Sequence, residues 1–228
     1  MRALRITLIV VVILGGLFVA ADRIAVYMAE SKAADKIKSS QSLTTTPNVS
    51  IKGFPFLTQV MGKELDEVDV GVDGLTTDAG DGRSVRVTEL DAQLHNVRIS
   101  GNFSSASADR ATGSAHISYA DLSQAAGPGI TVAYDPSGTN KVKITGSLLG
   151  FSLTAHSQVT IVNGNTIRLH AESIPGGSIP QWEDKVREKT DMERKIEGLP
   201  TGMRLDKVET SKDGIDVSVA GNNVQLTG

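Results

Sequence analysis

Apolar residues alternate with polar ones along most of this chain, and this pattern constrains its fold more than any other feature. Val68, Val70 and Val72, for example, alternate with acidic residues and glycine. A period of two places successive side chains on opposite faces of a strand, so each such run predicts a half-buried β-strand. Similar runs occupy residues 85–87, 90–94, 142–144, 151–155, 159–161, 167–171, 215–219 and 224–226. We expect about nine strands, paired antiparallel.

Short polar stretches between these runs predict turns. Residues 163–165 read NGN between two alternating runs, which is a strong signal for a β-hairpin. Asp213-Gly214 precedes a further run in the same way. The alternation changes phase between Val87 and Leu90, and this change predicts a β-bulge near Glu89.

Three other segments favour helices. Residues 23–41 are rich in Ala, Lys and Glu and have apolar residues near helical spacing, so they predict an amphipathic helix continuous with the segment before it. Residues 118–127 predict a short helix that Ser118 caps. Residues 179–200 predict a longer, highly charged helix around Trp182. Strands with a few helices indicate an α+β fold.

The first 21 residues form an apolar segment behind two arginines, Arg2 and Arg5. A basic start followed by an uncharged run is typical of a secretory signal peptide or of a signal anchor. Small residues permit cleavage after Ala21, while a spanning helix needs about 20 apolar residues, slightly more than the run offers. Both alternatives stay open. In either case we expect residues 22–228 to form a single exported domain, with the N-terminus inside.

The composition excludes several classes of function. The chain has no cysteine, which rules out disulfides, zinc–thiolate sites and thiol nucleophiles. Its net charge of −3 gives no electrostatic case for nucleic acid. The acidic residues within 64–73 lack the spacing of a calcium loop and are interpreted as the solvated face of a strand. The four histidines, interpreted as ordinary polar strand residues, are His95, His116, His156 and His170. We predict no catalytic residue, no metal site and no cofactor.

One apolar stretch follows the first predicted strand and reads GFPFLTQVM from Gly53 to Met61. The chain has only five phenylalanines, and two of them flank Pro55. Because proline cannot donate a hydrogen bond to a sheet, the strand must end or reach an edge here. The apolar side chains then either plug the end of the sheet as core or line the mouth of an apolar cavity. The residues of this candidate site are Phe54, Pro55, Phe56, Leu57, Val60 and Met61.

The sequence around this stretch, VSIKGFPFLTQVMGKELDEVDVGVDGL, resembles the signature of the actinobacterial LmeA-like phospholipid-binding family. The residues that match its G-F-P-F-L-x-Q pattern are Gly53, Phe54, Pro55, Phe56, Leu57 and Gln59. The resemblance extends to SYADL at residues 118–122 and to the tail from Leu199 to Leu226. The charged segment around Trp182 departs from the family.

The resemblance implies a fold similar to the tubular lipid-binding proteins, in which a strongly curved antiparallel β-sheet wraps around a long helix and encloses an apolar groove. It implies that this chain binds phospholipid or another acyl lipid, associates with a membrane and uses the six residues of the candidate site for lipid binding. It also suggests a part in envelope glycolipid maturation or lipid transport. Two alternatives stay open: a non-catalytic envelope scaffold with a filled core, and a lipid- or glycan-processing enzyme.

Overall fold

The computed structural model describes residues 2–40, 43–80, 83–100, 105–148, 151–173 and 191–227. The helices are α1 (Arg2–Ser40), α2 (Phe56–Gly62) and α3 (Tyr119–Ala126). The strands are β1 (Asn48–Lys52), β2 (Glu64–Gly80), β3 (Arg83–Ser100), β4 (Ser105–Ser118), β5 (Ile130–Tyr134), β6 (Lys141–Leu148), β7 (Phe151–Val162), β8 (Thr166–Ser173), β9 (Met192–Lys195), β10 (Thr201–Thr210) and β11 (Gly214–Thr227). Strands predominate, which confirms the predicted α+β class.

The strands form two antiparallel sheets. The first has the order β1-β2-β3-β4-β11-β10, and the second has the order β5-β6-β7-β8-β9. Both sheets are strongly curled, and neither closes into a barrel. The last two strands return to the first sheet, where β11 pairs with β4 from Gly214↔Ser118 to Thr227↔Ser105.

The hairpin predicted from NGN is confirmed. Strands β7 and β8 pair through Val162↔Thr166. The two residues at the start of the turn, Asn163 and Gly164, have φ of 54° and 68°. Three residues, 163–165, lie between this last pair of the strands. Positive φ in such a turn is tolerated best by Asn and Gly.

The bulge predicted near Glu89 is wrong. The register between β2 and β3 continues without a shift from Asp73↔Glu89 to Leu75↔Val87, so no residue is inserted. Gly74 lies between these pairs and has φ of 66°.

Two of the predicted helices are confirmed. Helix α1 continues from the apolar segment into the amphipathic one. Helix α3 begins after Ser118, whose Oγ accepts a hydrogen bond from the Asp121 N–H at 3.1 Å.

The helix predicted over residues 179–200 is wrong where it can be compared. Residues 174–190, including Trp182, lie outside the described residues. Met192–Lys195 form strand β9, which pairs with β8 from Leu169↔Met192 to Thr166↔Lys195. All four β9 residues are exposed. The open edge of the second sheet supplies hydrogen-bond partners that outweigh the local helix propensity of these charged residues.

Two apolar clusters hold the fold together. The first joins Val26 of α1 and Phe56 of α2 to three residues of the first sheet: Leu65, Val97 and Ala108. The second joins the two sheets through Val142, Val159, Leu205, Val208 and Val217. The curled first sheet therefore packs on the second half of α1. The half that precedes Asp22 is exposed throughout.

Candidate functional site

The candidate site is a short turn and helix, residues 53–63, that we call the knuckle. Strand β1 ends at Lys52, Gly53 has φ of 93°, and α2 starts after a cis peptide bond between Phe54 and Pro55. Pro55 is the N-cap of α2 and offers no side-chain hydrogen bond. At the other end, Lys63 is left-handed and its N–H donates to the Val60 carbonyl at 3.1 Å. Such a residue ends a helix by satisfying a carbonyl that lacks a partner.

Helix α1 supplies the cap that α2 lacks. The Asp22 side chain is 0% exposed, and its Oδ1 accepts a hydrogen bond from the Leu57 N–H at 2.9 Å. A carboxylate at this end of a helix satisfies free N–H groups and opposes the helix dipole. Its Oδ2 lies 2.5 Å from an Arg23 nitrogen, so the buried charge is paired. The knuckle is thus fixed to the residue that directly follows the apolar segment.

Sequence reasoning missed this role and treated Asp22 only as the end of the apolar run. A weak signal was available. Helix α2 starts at Pro55-Phe56 without a Ser, Thr, Asp or Asn to cap it. A helix that begins in this way needs an acceptor from elsewhere in the chain, although the sequence does not say from where.

The structure separates the six predicted site residues into three groups. Phe56 is 5% exposed and belongs to the first apolar cluster. Pro55, Leu57 and Val60 are half-buried. Phe54 and Met61 are 57% and 85% exposed. Phe56 therefore fits the interpretation in which this stretch fills the core. Phe54 and Met61 instead present apolar surface to the outside.

Two further members of the sequence motif, Gly53 and Gln59, hold the knuckle against the sheet. Gln59 accepts a hydrogen bond from the Asp66 N–H at 2.8 Å and donates to the Lys52 carbonyl at 3.3 Å. A Cβ on Gly53 would lie 2.4 Å from both Gln59 Nε2 and Asp66 Oδ2. Only glycine fits there, both because of this approach and because of its positive φ.

An open groove of about 670 Å³ lies beside β1. Most of its lining residues are polar, and three are apolar: Val49, Val70 and Ala92. The polar residues are Glu30, Asn48, Ser50, Lys52, Asp69, Asp91, Gln93, Thr112 and Ser114. Because polar residues predominate, the groove suits polar ligands better than acyl chains. The exposed apolar surface at this end of the molecule lies on the knuckle instead.

The histidines each pair with one carboxylate through Nδ1. The partners are Glu67 for His95 at 3.2 Å, Asp216 for His116 at 2.7 Å, Asp135 for His156 at 2.5 Å and Asp191 for His170 at 2.8 Å. Within the described residues, no three His, Asp or Glu side chains come together where they could hold a metal ion. The histidines of the hairpin do not face each other, because Gln158 is opposite His170.

Asp135 is the most perturbed of these carboxylates. Its side chain is buried, and burial raises its pKa. Hydrogen bonds from His156 and from the Ser137 backbone and side chain outweigh that effect and lower the pKa of Asp135 to about 2. Asp135 precedes the β5–β6 turn and is hydrogen-bonded to the Ser137 N–H at 3.0 Å, so it stabilises that turn.

The fold and the candidate site together define a class of protein. It is an α+β protein of curled antiparallel sheets, and one helix among its described residues, α1, is long and apolar enough to cross a membrane. A family model described as LmeA-like phospholipid-binding matches residues 20–220, so the chain belongs to the LmeA-like phospholipid-binding family. This confirms the family that the sequence motif predicts. No curated protein and no solved structure matches the chain significantly.

Proposed function

We propose that this protein is exported, stays anchored by α1 and binds phospholipid through its acyl chains without covalent chemistry. The family match over residues 20–220 carries the proposal, because it spans nearly the whole domain and the family binds phospholipid. Arg2 and Arg5 would keep the N-terminus inside and place the domain on the outer side of the membrane.

The acyl chains would lie on the seam, which we define as the surface of Leu57 and Val60 on α2, where Val60 packs against the first apolar cluster. Both residues are half-buried, and Val60 packs directly against the cluster. Each methylene removed from water contributes about 0.8 kcal/mol, so ten methylenes would contribute about 8 kcal/mol before the cost of ordering the lipid. A charged anchor is not required for such binding.

A part in envelope glycolipid maturation or lipid transport would follow from the same binding. The polar groove beside β1 supports this, because Asn48, Ser50 and Lys52 of its lining lie on β1, the strand that leads into the knuckle. The scaffold alternative draws support from Phe56, which fills the core rather than a cavity. These alternatives differ in whether the protein carries lipid.

Native mass spectrometry of the full chain, followed by lipid extraction, tests the proposal. We expect a phospholipid adduct that is reduced in Leu57→Gln and retained in Leu199→Gln, a half-buried leucine outside the knuckle. An adduct-free chain that takes up no lipid from liposomes would favour the scaffold. Conversion of added lipid into a product of different mass would favour the enzyme.

A further inference from the structure

We infer that the exposed residues of the knuckle, with Arg23 and Lys63, form a docking surface for the phospholipid bilayer that the apolar half of α1 enters. This inference rests on the anchored orientation in the proposed function. It goes beyond that function because it assigns Phe54 and Met61 to the bilayer surface rather than to a binding groove. It also fixes which end of the domain faces the membrane.

The level of the knuckle along α1 is set by one hydrogen bond. All side chains before Asp22 in the apolar run are exposed. The Asp22 carboxylate holds the Leu57 N–H at 2.9 Å, so the start of α2 lies level with the first residue after that run. When the apolar run lies in hydrocarbon, the knuckle is therefore at the interface between hydrocarbon and headgroups.

The apolar surface at this level comes from both helices. Phe54 and Met61 are exposed on the knuckle, and Ile24, Tyr27 and Met28 are exposed on α1. With a rise of about 1.5 Å per residue, Ile24 and Met28 lie about 3 and 9 Å beyond Asp22 along the helix axis. Exposed apolar side chains concentrated at one level mark an interaction surface, and a tyrosine among them is typical of a membrane interface.

The charges at this level match lipid phosphates. The Arg23 guanidinium pairs with Asp22 and lies 5.3 Å from the centre of the Phe54 ring, so a cation and an exposed aromatic ring are held together. Lys63 is exposed at the other end of α2, next to Met61. The acidic residue that follows it, Glu64, is 3.9 Å from Arg98. One cation therefore lies beside Phe54 and another follows Met61, while the Asp66 carboxylate lies on the sheet side of the knuckle, beside Gly53.

Other cations of α1 lie too far along the helix to share this surface. Lys32, Lys36 and Lys38 are about 15, 21 and 24 Å beyond Asp22 along the helix axis. Lys38 also donates to the Thr46 hydroxyl at 3.0 Å. These lysines belong to the solvated face of the helix, and Arg23 is the member of the series that lies at headgroup level.

Docking in this orientation places the seam at the bilayer surface. Leu57 and Val60 belong to the same short helix as Met61, so a lipid that enters the seam would leave the bilayer beside Phe54 and Met61. Its acyl chains would then pass from hydrocarbon to protein without crossing water. This removes most of the cost of exposing methylenes to water.

Site-directed spin labelling of the full chain tests the docking surface. The chain has no cysteine, so one introduced cysteine carries the only label. We would label Met61→Cys and, as the control, Lys212→Cys, both at exposed positions, in nanodiscs of zwitterionic and anionic phospholipid. Lys212 lies just before Gly214, the far end of β11. Gly214 is ten residues, about 33 Å along the strand at about 3.3 Å per residue, from Val224, which pairs with Ala108 of the first apolar cluster.

We expect the label at position 61 to gain accessibility to lipid-soluble oxygen and to lose accessibility to a water-soluble nickel chelate, while position 212 shows the reverse. Equal accessibility at the two positions would overturn the docking surface. If phospholipid is still extracted from the protein in that case, lipid binding stands and only the docking is wrong. If position 61 is in lipid but no phospholipid copurifies, docking stands and binding at the seam is wrong.

Discussion

The first apolar cluster, around Phe56, joins two helices to a sheet, whereas the second, around Val142 and Leu205, joins one sheet to another. The second cluster is surrounded by further partly buried apolar residues from both sheets. The first also has partly buried apolar residues around it, but Phe56 belongs to the knuckle, where Phe54 and Met61 are exposed. Packing of one sheet on the other buries the second cluster. The end that carries α2 leaves apolar side chains exposed. We therefore place lipid binding at the open end.

The two ends also differ in what fixes them. The knuckle depends on polar contacts, chiefly Asp22 with the Leu57 N–H and Gln59 with the backbones of Lys52 and Asp66. The second cluster depends on side-chain packing of β7 against β10 and β11. Substitutions can therefore disturb one end without disturbing the other.

The largest expected effects are losses of stability from core substitutions, and only one of the two variants should also lose lipid. Phe56→Ala should lower the free energy of unfolding by about 3–5 kcal/mol, and Leu205→Ala in the second cluster by about 2–5 kcal/mol. Thermal unfolding of the full chain in detergent measures both. Only Phe56→Ala should also reduce copurified phospholipid, because only Phe56 belongs to the apolar cluster beside the seam. Equal loss of lipid in both variants would contradict the distinction between the two ends.

Removing the Asp22 carboxylate should loosen the knuckle alone. Asp22→Asn keeps the size of the side chain but leaves Arg23 without its charged partner and weakens the cap on α2. We expect a lower melting temperature and faster hydrogen exchange at the amides of 56–60, with the second sheet unchanged. Asp35→Asn, at an exposed position on the same helix, is the control and should change neither.

Glycine is required at the start of the knuckle but not at its end. Gly53→Ala places a Cβ 2.4 Å from Gln59 Nε2 at a φ of 93°, so it should destabilise the protein by about 1 kcal/mol or more. Gly62→Ala meets nothing within 4 Å and should be neutral or slightly stabilising. Chemical denaturation compares the two variants. Equal stability would show that the close approach at Gly53 relaxes freely.

The last prediction concerns pH and the second sheet. The pKa of Asp135 is lowered to about 2 in the folded protein, from an ordinary value of 3.8. A lowered folded pKa stabilises the protein above the unfolded pKa and loses that effect as pH falls through the folded one. The stability difference between the native chain and Asp135→Asn should be constant above about pH 4 and shrink towards pH 2. Unfolding of both chains, measured against pH, checks this trend, and a difference that stays constant down to about pH 2 would contradict it.

Part of the fold was predictable because its signals are local. Alternation with large β-branched residues identified β2, β7 and β8, and a capping residue identified α3. Strand β4 gave no such signal, although it lies between β3 and β11. Its sequence, SASADRATGSAHIS, has Ala and Gly where a central strand usually has larger residues. Ala108 and Ala111 are 1% exposed, so the curled sheet leaves room there for little more than a methyl group.

The prediction of a helix over residues 179–200 failed for the opposite reason: here a local signal was present but misleading. Its local pattern was strong, yet Met192–Lys195 pair with the open edge of β8. Local propensity is worth a few tenths of a kcal/mol per residue, and an unsatisfied sheet edge can outweigh it over four residues. The sequence does not reveal that such an edge exists, because the edge is created by strands that fold elsewhere in the chain.

The sequence by itself determined the strand-rich α+β class, the apolar helix with its basic start and the motif that identifies the family. Each depends on residues close together in the chain. Only the tertiary structure decided that Phe56 turns inward while Phe54 and Met61 turn outward, and that Asp22 holds the Leu57 N–H 35 residues away. Burial and capping depend on which distant element packs against a residue, and the order of residues along the chain does not state that.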